Sequence, residues 1–102
     1  MDPHLVPGLP PTVRRKVLST GPKCSLAEMH VAQGTRTPTH HHPHAAVVYL
    51  LRGSADMRLD GQKVPMVPGD ALFIESGAEH GFAENAEDLV FLEFFVPGRE
   101  DF

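Results

Sequence analysis

Cys24 is the single cysteine among 102 residues, so no internal disulfide can form and the fold must rest on its own core. No apolar run is longer than Ala45 to Leu51, far short of the roughly 20 residues a membrane-spanning helix needs. Positive charge is scarce as well: nine Lys and Arg stand against 13 Asp and Glu, a formal net charge of −4. A chain so balanced has no electrostatic reason to seek nucleic acid or an anionic membrane. The opening MDPHLVPGLPP has neither the basic start nor the apolar stretch of a secretory signal, and the expectation is a cytoplasmic protein. Sustained helical periodicity and internal repeats are both missing.

What the sequence does have is punctuation. Ten prolines and nine glycines are spread along the chain and break short apolar runs at intervals of about ten residues, the pattern of an all-β sandwich or barrel. Residues 1–12 read as a loose arm with room for one short strand, and residues 13–102 as a single domain. Strands are expected over Val13–Leu18, Lys23–Val31, Ala46–Leu51, Ser54–Leu59, Gln62–Val67, Ala71–Ile74, His80–Glu84 and Asp88–Val96. Ala27, Met29 and Val31 alternate with Glu28 and His30, the period-two signature of a half-buried strand. Asp60-Gly61 signals a two-residue hairpin. Eight or nine short strands in so few residues predict a compact antiparallel barrel or jelly roll.

The chemistry gathers at Thr39-His40-His41-His42-Pro43-His44, where four of the seven histidines precede the apolar run AAVVYLL. His40 and His42 are two apart, so on extended backbone both imidazoles leave the same face and form a chelating pair. His80, at a strand start just after a glycine turn, is the natural third ligand. His4, His30 and His41 read as surface histidines, and Met29, Met57 and Met66 as core filler rather than thioether ligands. Tyr49 either donates into a pocket or packs, and its strand neighbours favour packing.

These residues resemble the cupins. Gly34-TRTPT-His40-His41-His42-PHA-Ala46-VVYLLR-Gly53 is similar to their first motif, and Gly69-DALFI-Glu75-Ser76-Gly77-AE-His80 to their second. The resemblance spans roughly residues 13–99 and implies a double-stranded β-helix (jelly-roll) barrel with a metal inside one end. Three positions depart from the pattern. Ala46 stands where the family has a glutamate ligand, Glu75 replaces a proline, and the asparagine comes one place late at Asn85. The first departure governs the chemistry. Three neutral imidazoles leave the charge of a divalent ion uncompensated and at least one coordination position open. All-nitrogen donors favour iron(II), nickel, copper or zinc over manganese and magnesium. His44 stands near enough in sequence to be a fourth ligand, though Pro43 stiffens the turn between them. The opposite reading of Ala46 is a lapsed site in a barrel that binds no metal.

Near the end of the chain Glu93 shares a strand face with Leu89, Phe91 and Phe95, and alternation leaves open whether that face points in or out. If it points in, the carboxyl loses solvent and its pKa rises toward the range of a general acid or base. Glu93-x-Phe95-x-Pro97-x-Arg99 resembles the tail of the cupins that linearise unsaturated uronates in pectin breakdown. That resemblance implies proton transfer at Glu93, a pocket wall at Phe95 and a carboxylate clamp at Arg99, with His44 and Ala46 also beside the pocket. A solvated Arg99 near Glu100 and Asp101 is the plainer alternative. The expected function is a metal-dependent enzyme, of dioxygenase or isomerase/lyase type, on a small organic acid or carbonyl compound. The alternative is a non-catalytic metal- or ligand-binding barrel. Small cupins commonly form homodimers, with strands of the N-terminal arm crossing to the partner, and a barrel this small gains core by pairing.

Overall fold

The structure is a computed structural model that describes residues 3–83 and 85–102. Met1 and Asp2 of the expected arm, and Glu84 at the end of one expected strand, lie outside the described residues. Nine strands organise the rest: β1 (His4–Leu5), β2 (Val13–Thr20), β3 (Ser25–Val31), β4 (Ala45–Arg52), β5 (Ala55–Leu59), β6 (Gln62–Met66), β7 (Ala71–Ile74), β8 (His80–Phe82) and β9 (Leu89–Val96). One sheet runs β1-β2-β3-β9-β4-β7 and the other β6-β5-β8, with antiparallel pairing throughout. This is the all-β jelly-roll architecture expected from the strand spacing.

Strict alternation builds the core. β3 buries Ser25, Ala27, Met29 and Val31, while β4 buries Ala46, Val48 and Leu50. Met57, Met66 and Phe82 close the cavity from the smaller sheet, and the Phe82 and Phe91 rings meet at 4.9 Å between centroids. Burying a side chain such as Leu50 removes its full surface from water, worth about 1.5–3 kcal/mol. The three methionines named as core filler are all buried. Tyr49 belongs to the other face of β4; it is 41% exposed on the outside of the sheet and does not enter the pocket.

The turns follow local chemistry. Asp60 and Gly61 both take positive φ, 47° and 78°, as the tight β5–β6 hairpin requires. β3 starts at Ser25 rather than Lys23, because residues 21–24 form a turn against the end of the chain. There Gly98 N–H donates to the Pro22 carbonyl at 3.2 Å, and a Cβ on Gly98 would overlap the Gly21 carbonyl. The arm is more ordered than its proline content suggests. β1 pairs with β2, and Val6 and Leu9 pack on the core.

Candidate metal centre

His40, His42 and His80 reach one place because two loops are laced together. His40 and His80 exchange both backbone hydrogen bonds, each at 2.9 Å, in an isolated antiparallel bridge. Gly77 N–H donates to the His42 carbonyl at 2.9 Å, and the Ser76 hydroxyl donates to the Pro43 carbonyl at 2.6 Å. Gly81 lets the histidine loop come close: a Cβ there would stand 3.2 Å from the Pro38 carbonyl oxygen. From the far side, Asp60 grips the approach to His80, with its N–H donating to the Glu79 carbonyl at 2.8 Å and its carboxylate accepting from Glu79 N–H at 3.0 Å.

The ligand atoms of the three histidines all lie within 4.8 Å of one another. Each ring is also held in one tautomer. Nδ1–H of His40 donates to the Pro38 carbonyl at 3.2 Å, that of His42 to the His44 carbonyl at 2.9 Å, and that of His80 to the Ala78 carbonyl at 2.9 Å. A backbone carbonyl two residues away thus takes the proton in every case, which leaves Nε2 as a bare lone pair. Nε2 of His42 and of His80 is buried and has no hydrogen-bond partner. Burying an unpaired polar atom costs about 1–3 kcal/mol, and a cation at the common focus would relieve both atoms at once. Burial first, and neighbouring His80 second, push the His42 imidazole down to about 4. Burial likewise lowers His80. Both are therefore neutral ligands near neutrality, and the donor set fits a divalent transition metal.

β9 settles the orientation of Glu93. Its neighbours across the sheet are Ala27 on β3 and Val48 on β4, both buried, so Glu93 turns inward with Leu89, Phe91 and Phe95 while Phe94 faces out. Burial pushes its carboxyl up to about 7 against the opposing pull of Arg99 and Arg15. Glu93 stands between two chambers. The outer, about 390 Å³, is walled by His40, His42, Phe95 and Arg99 and roofed by Val6 and Leu9 of the arm. The inner, about 70 Å³, lies among Met29, Met57, Phe82 and Phe91 beside His40 and His80.

The remaining expected site residues fall differently. Phe95 walls the outer chamber and meets the His42 ring edge-on at 5.5 Å. His44 also turns edge-on to His42 and Phe95, at 5.7 and 6.2 Å, and among the described residues it belongs neither to the ligand cluster nor to the chamber wall. Ala46 is buried, paired with Phe95 on one side and Ile74 on the other; its methyl is core rather than wall. Arg99 does reach the chamber, but as a held group. Its Nε and Nη2 donate to the two carboxylate oxygens of Asp101 at 2.8 and 2.9 Å, and its guanidinium lies 4.8 Å from the Phe95 centroid. Arg15 and Phe102 had no role in the sequence reading, and Asp101 entered it only as a neighbour of a solvated Arg99. The one signal for Arg15 was the alternation Val13, Arg15, Val17 on β2, which places it on the inward face.

The match to known proteins agrees with this geometry. Residues 27–95 match the cupin domain model, and the chain belongs to that family. It is 29% identical over 91 residues to the pectin degradation protein KdgF of Dickeya dadantii (strain 3937), covering 88% of this chain and 83% of that one. KdgF from Halomonas sp. superposes with a TM-score of 0.89 at 25% identity, over 99% of this chain and 90% of that one. An RmlC-like cupin from Shewanella frigidimarina NCIMB 400 superposes at 0.88 over 98% of this chain and 86% of that one; at 22% identity it is a likeness of fold.

Proposed function

We propose that this member of the cupin family is a metal-dependent isomerase of cytoplasmic sugar-acid breakdown, acting on unsaturated uronates of the kind pectin yields. The observation that carries the reading is the set of three imidazoles whose Nδ1–H groups are held by backbone carbonyls, so that their Nε2 atoms converge bare. His40, His42 and His80 would hold the ion, with nickel, zinc, iron(II) or copper suited to the all-nitrogen donors. When bound, a divalent cation supplies Lewis-acid polarisation of a substrate oxygen. The likeness to pectin degradation proteins named KdgF supports the substrate class.

Glu93 carries the proton. Opening a cyclic unsaturated uronate moves a proton from the hemiacetal hydroxyl to a ring carbon, breaks the bond from the ring oxygen to the hemiacetal carbon, and consumes no oxidant. A carboxyl with a pKa of about 7 serves as base to the hydroxyl and then as acid to the carbon, with no net change in its own protonation. Phe95 and the arm residues Val6 and Leu9 give the chamber in which this occurs an apolar lining. The test is untagged protein reloaded with each of the four metals and given 4,5-unsaturated galacturonate. Expected is loss of the double bond's ultraviolet absorbance at the same rate with and without oxygen. No consumption with any metal would overturn the assignment.

The small apolar chamber beside His40 and His80 favours one rival, an iron(II) oxygenase with room for a diatomic gas. Stoichiometric oxygen uptake during turnover would select it.

The partner we propose is a second copy. Leu26, Phe94, Val47 and Phe73 pair in one row across β3, β9, β4 and β7 on the outward face, and Phe73 is 56% exposed. Two such faces packed sheet to sheet would bury the row. Phe73→Glu is expected to halve the mass found by light scattering without lowering β content. A wild-type mass of one chain at micromolar concentration would remove the dimer.

A further inference from the structure

Arg15 stands out among the charged groups of the outer chamber. It projects from the inward face of β2, half-buried, into the same space as His42 and Glu93. Among the described residues no carboxylate or carbonyl lies within ion-pair or hydrogen-bond reach of its guanidinium, which lies over the Phe102 ring, 4.3 Å to the centroid. The charges facing it from other elements are Asp101, Arg99 and Glu93, and of these Asp101 is already spent on Arg99 in a two-pronged pair. A guanidinium drawn partly out of water with no direct ion pair of its own is only partly compensated by charges at longer range. Burial accordingly weakens its hold on the proton.

We propose that Arg15, not Arg99, is the anchor for the carboxylate of the ligand in the outer chamber. Arg99 and Asp101 together form a neutral unit that braces Phe95 and Phe102, while Arg15 presents the open fork. The ligand is a monocarboxylate of about one sugar ring, matched to a chamber of about 390 Å³. This deepens the reading above, since it takes the space beside His40 and His42 as the substrate site. It does not depend on the ion.

Calorimetry of untagged protein with D-galacturonate, against D-galactose as the neutral counterpart, tests it, with metal content measured on every sample. Wild type is expected to prefer the acid by about tenfold or more at low salt. Arg15→Gln should erase that preference, and Arg15→Lys should recover part of it through charge without the fork. The Arg99→Gln/Asp101→Asn double variant should keep the preference to within about threefold. Preference surviving in R15Q, lost in the double variant, or missing from metal-loaded wild type would each overturn the anchor. Metal content separates that failure from failure of the metal centre. Should R15Q not fold, Arg15→Met keeps the stem and carries the same expectation.

Discussion

Chelator-stripped protein in which His42 is replaced by alanine will take up no stoichiometric metal, whereas His41→Ala will bind as wild type does. His42 supplies one of the two buried, unpartnered Nε2 atoms, and its neighbour His41 is exposed and outside the cluster. Losing a partner that merely orients a ligand costs about 10–100-fold in metal affinity, so losing the ligand itself should cost more than a hundredfold. The barrel should survive. His42→Ala removes an orphaned polar atom, which favours the fold, together with the ring contacts to Phe95 and His44 and the Nδ1–H bond to the His44 carbonyl, which oppose it. A change in unfolding free energy within about 1 kcal/mol is expected, read by urea titration of the stripped protein. Elemental analysis gives the main result. Retention of one ion per chain in His42→Ala would remove His42 from the centre, and equal loss in His41→Ala would mean the cluster is not selective.

The sequence made the architecture legible because the determinants were local. Period-two burial on β3 and the Asp60-Gly61 hairpin need only neighbours along the chain, and both stand where the residues place them. The histidine triad was legible for a related reason: two spacings, His40-x-His42 and the glycine turn before His80, are short-range facts. What the residues left open or gave no sign of depends mostly on contacts between distant segments. The inward turn of Glu93 is decided by Ala27 and Val48 across the sheet, because both faces of β9 are apolar. Arg99 is a local exception: a carboxylate clamp and a solvated tail arginine near Asp101 were both open readings, and the two-pronged pair with Asp101, two residues on, makes it a held group. Arg15 lay in a strand that read only as structure, and its meaning appears once Phe102 and the chamber are beside it. The mild order in the arm is of the same kind, since Val6 and Leu9 find the core only after β1 pairs with β2.

Glu93→Gln will raise the stability of stripped protein at pH 8 and leave it unchanged at pH 4, while cutting turnover of an unsaturated uronate by about 10²–10⁴-fold. The sign follows from the direction of the shift. In the folded chain Glu93 holds its proton up to about 7, against 4.5 as its ordinary value. Below pH 4.5 both states are protonated and nothing is lost. As pH climbs from 4.5 to 7 the unfolded chain ionises freely and the folded chain resists, so stability falls through that window and levels off above it. At 1.36 kcal/mol per pH unit, the penalty approaches about 3 kcal/mol above pH 7. Glutamine keeps the shape, cannot ionise, and therefore escapes the loss. Arg15 and Arg99 face the carboxyl and oppose the rise, but burial outweighs them. The paired measurement is a urea midpoint for wild type and Glu93→Gln at pH 4 and 8, with turnover of the metal-loaded forms at pH 7. A pH-independent difference in midpoint would mean the carboxyl is ionised in the native chamber. Full turnover in the variant would take proton transfer away from this residue, even if the midpoints behave as expected.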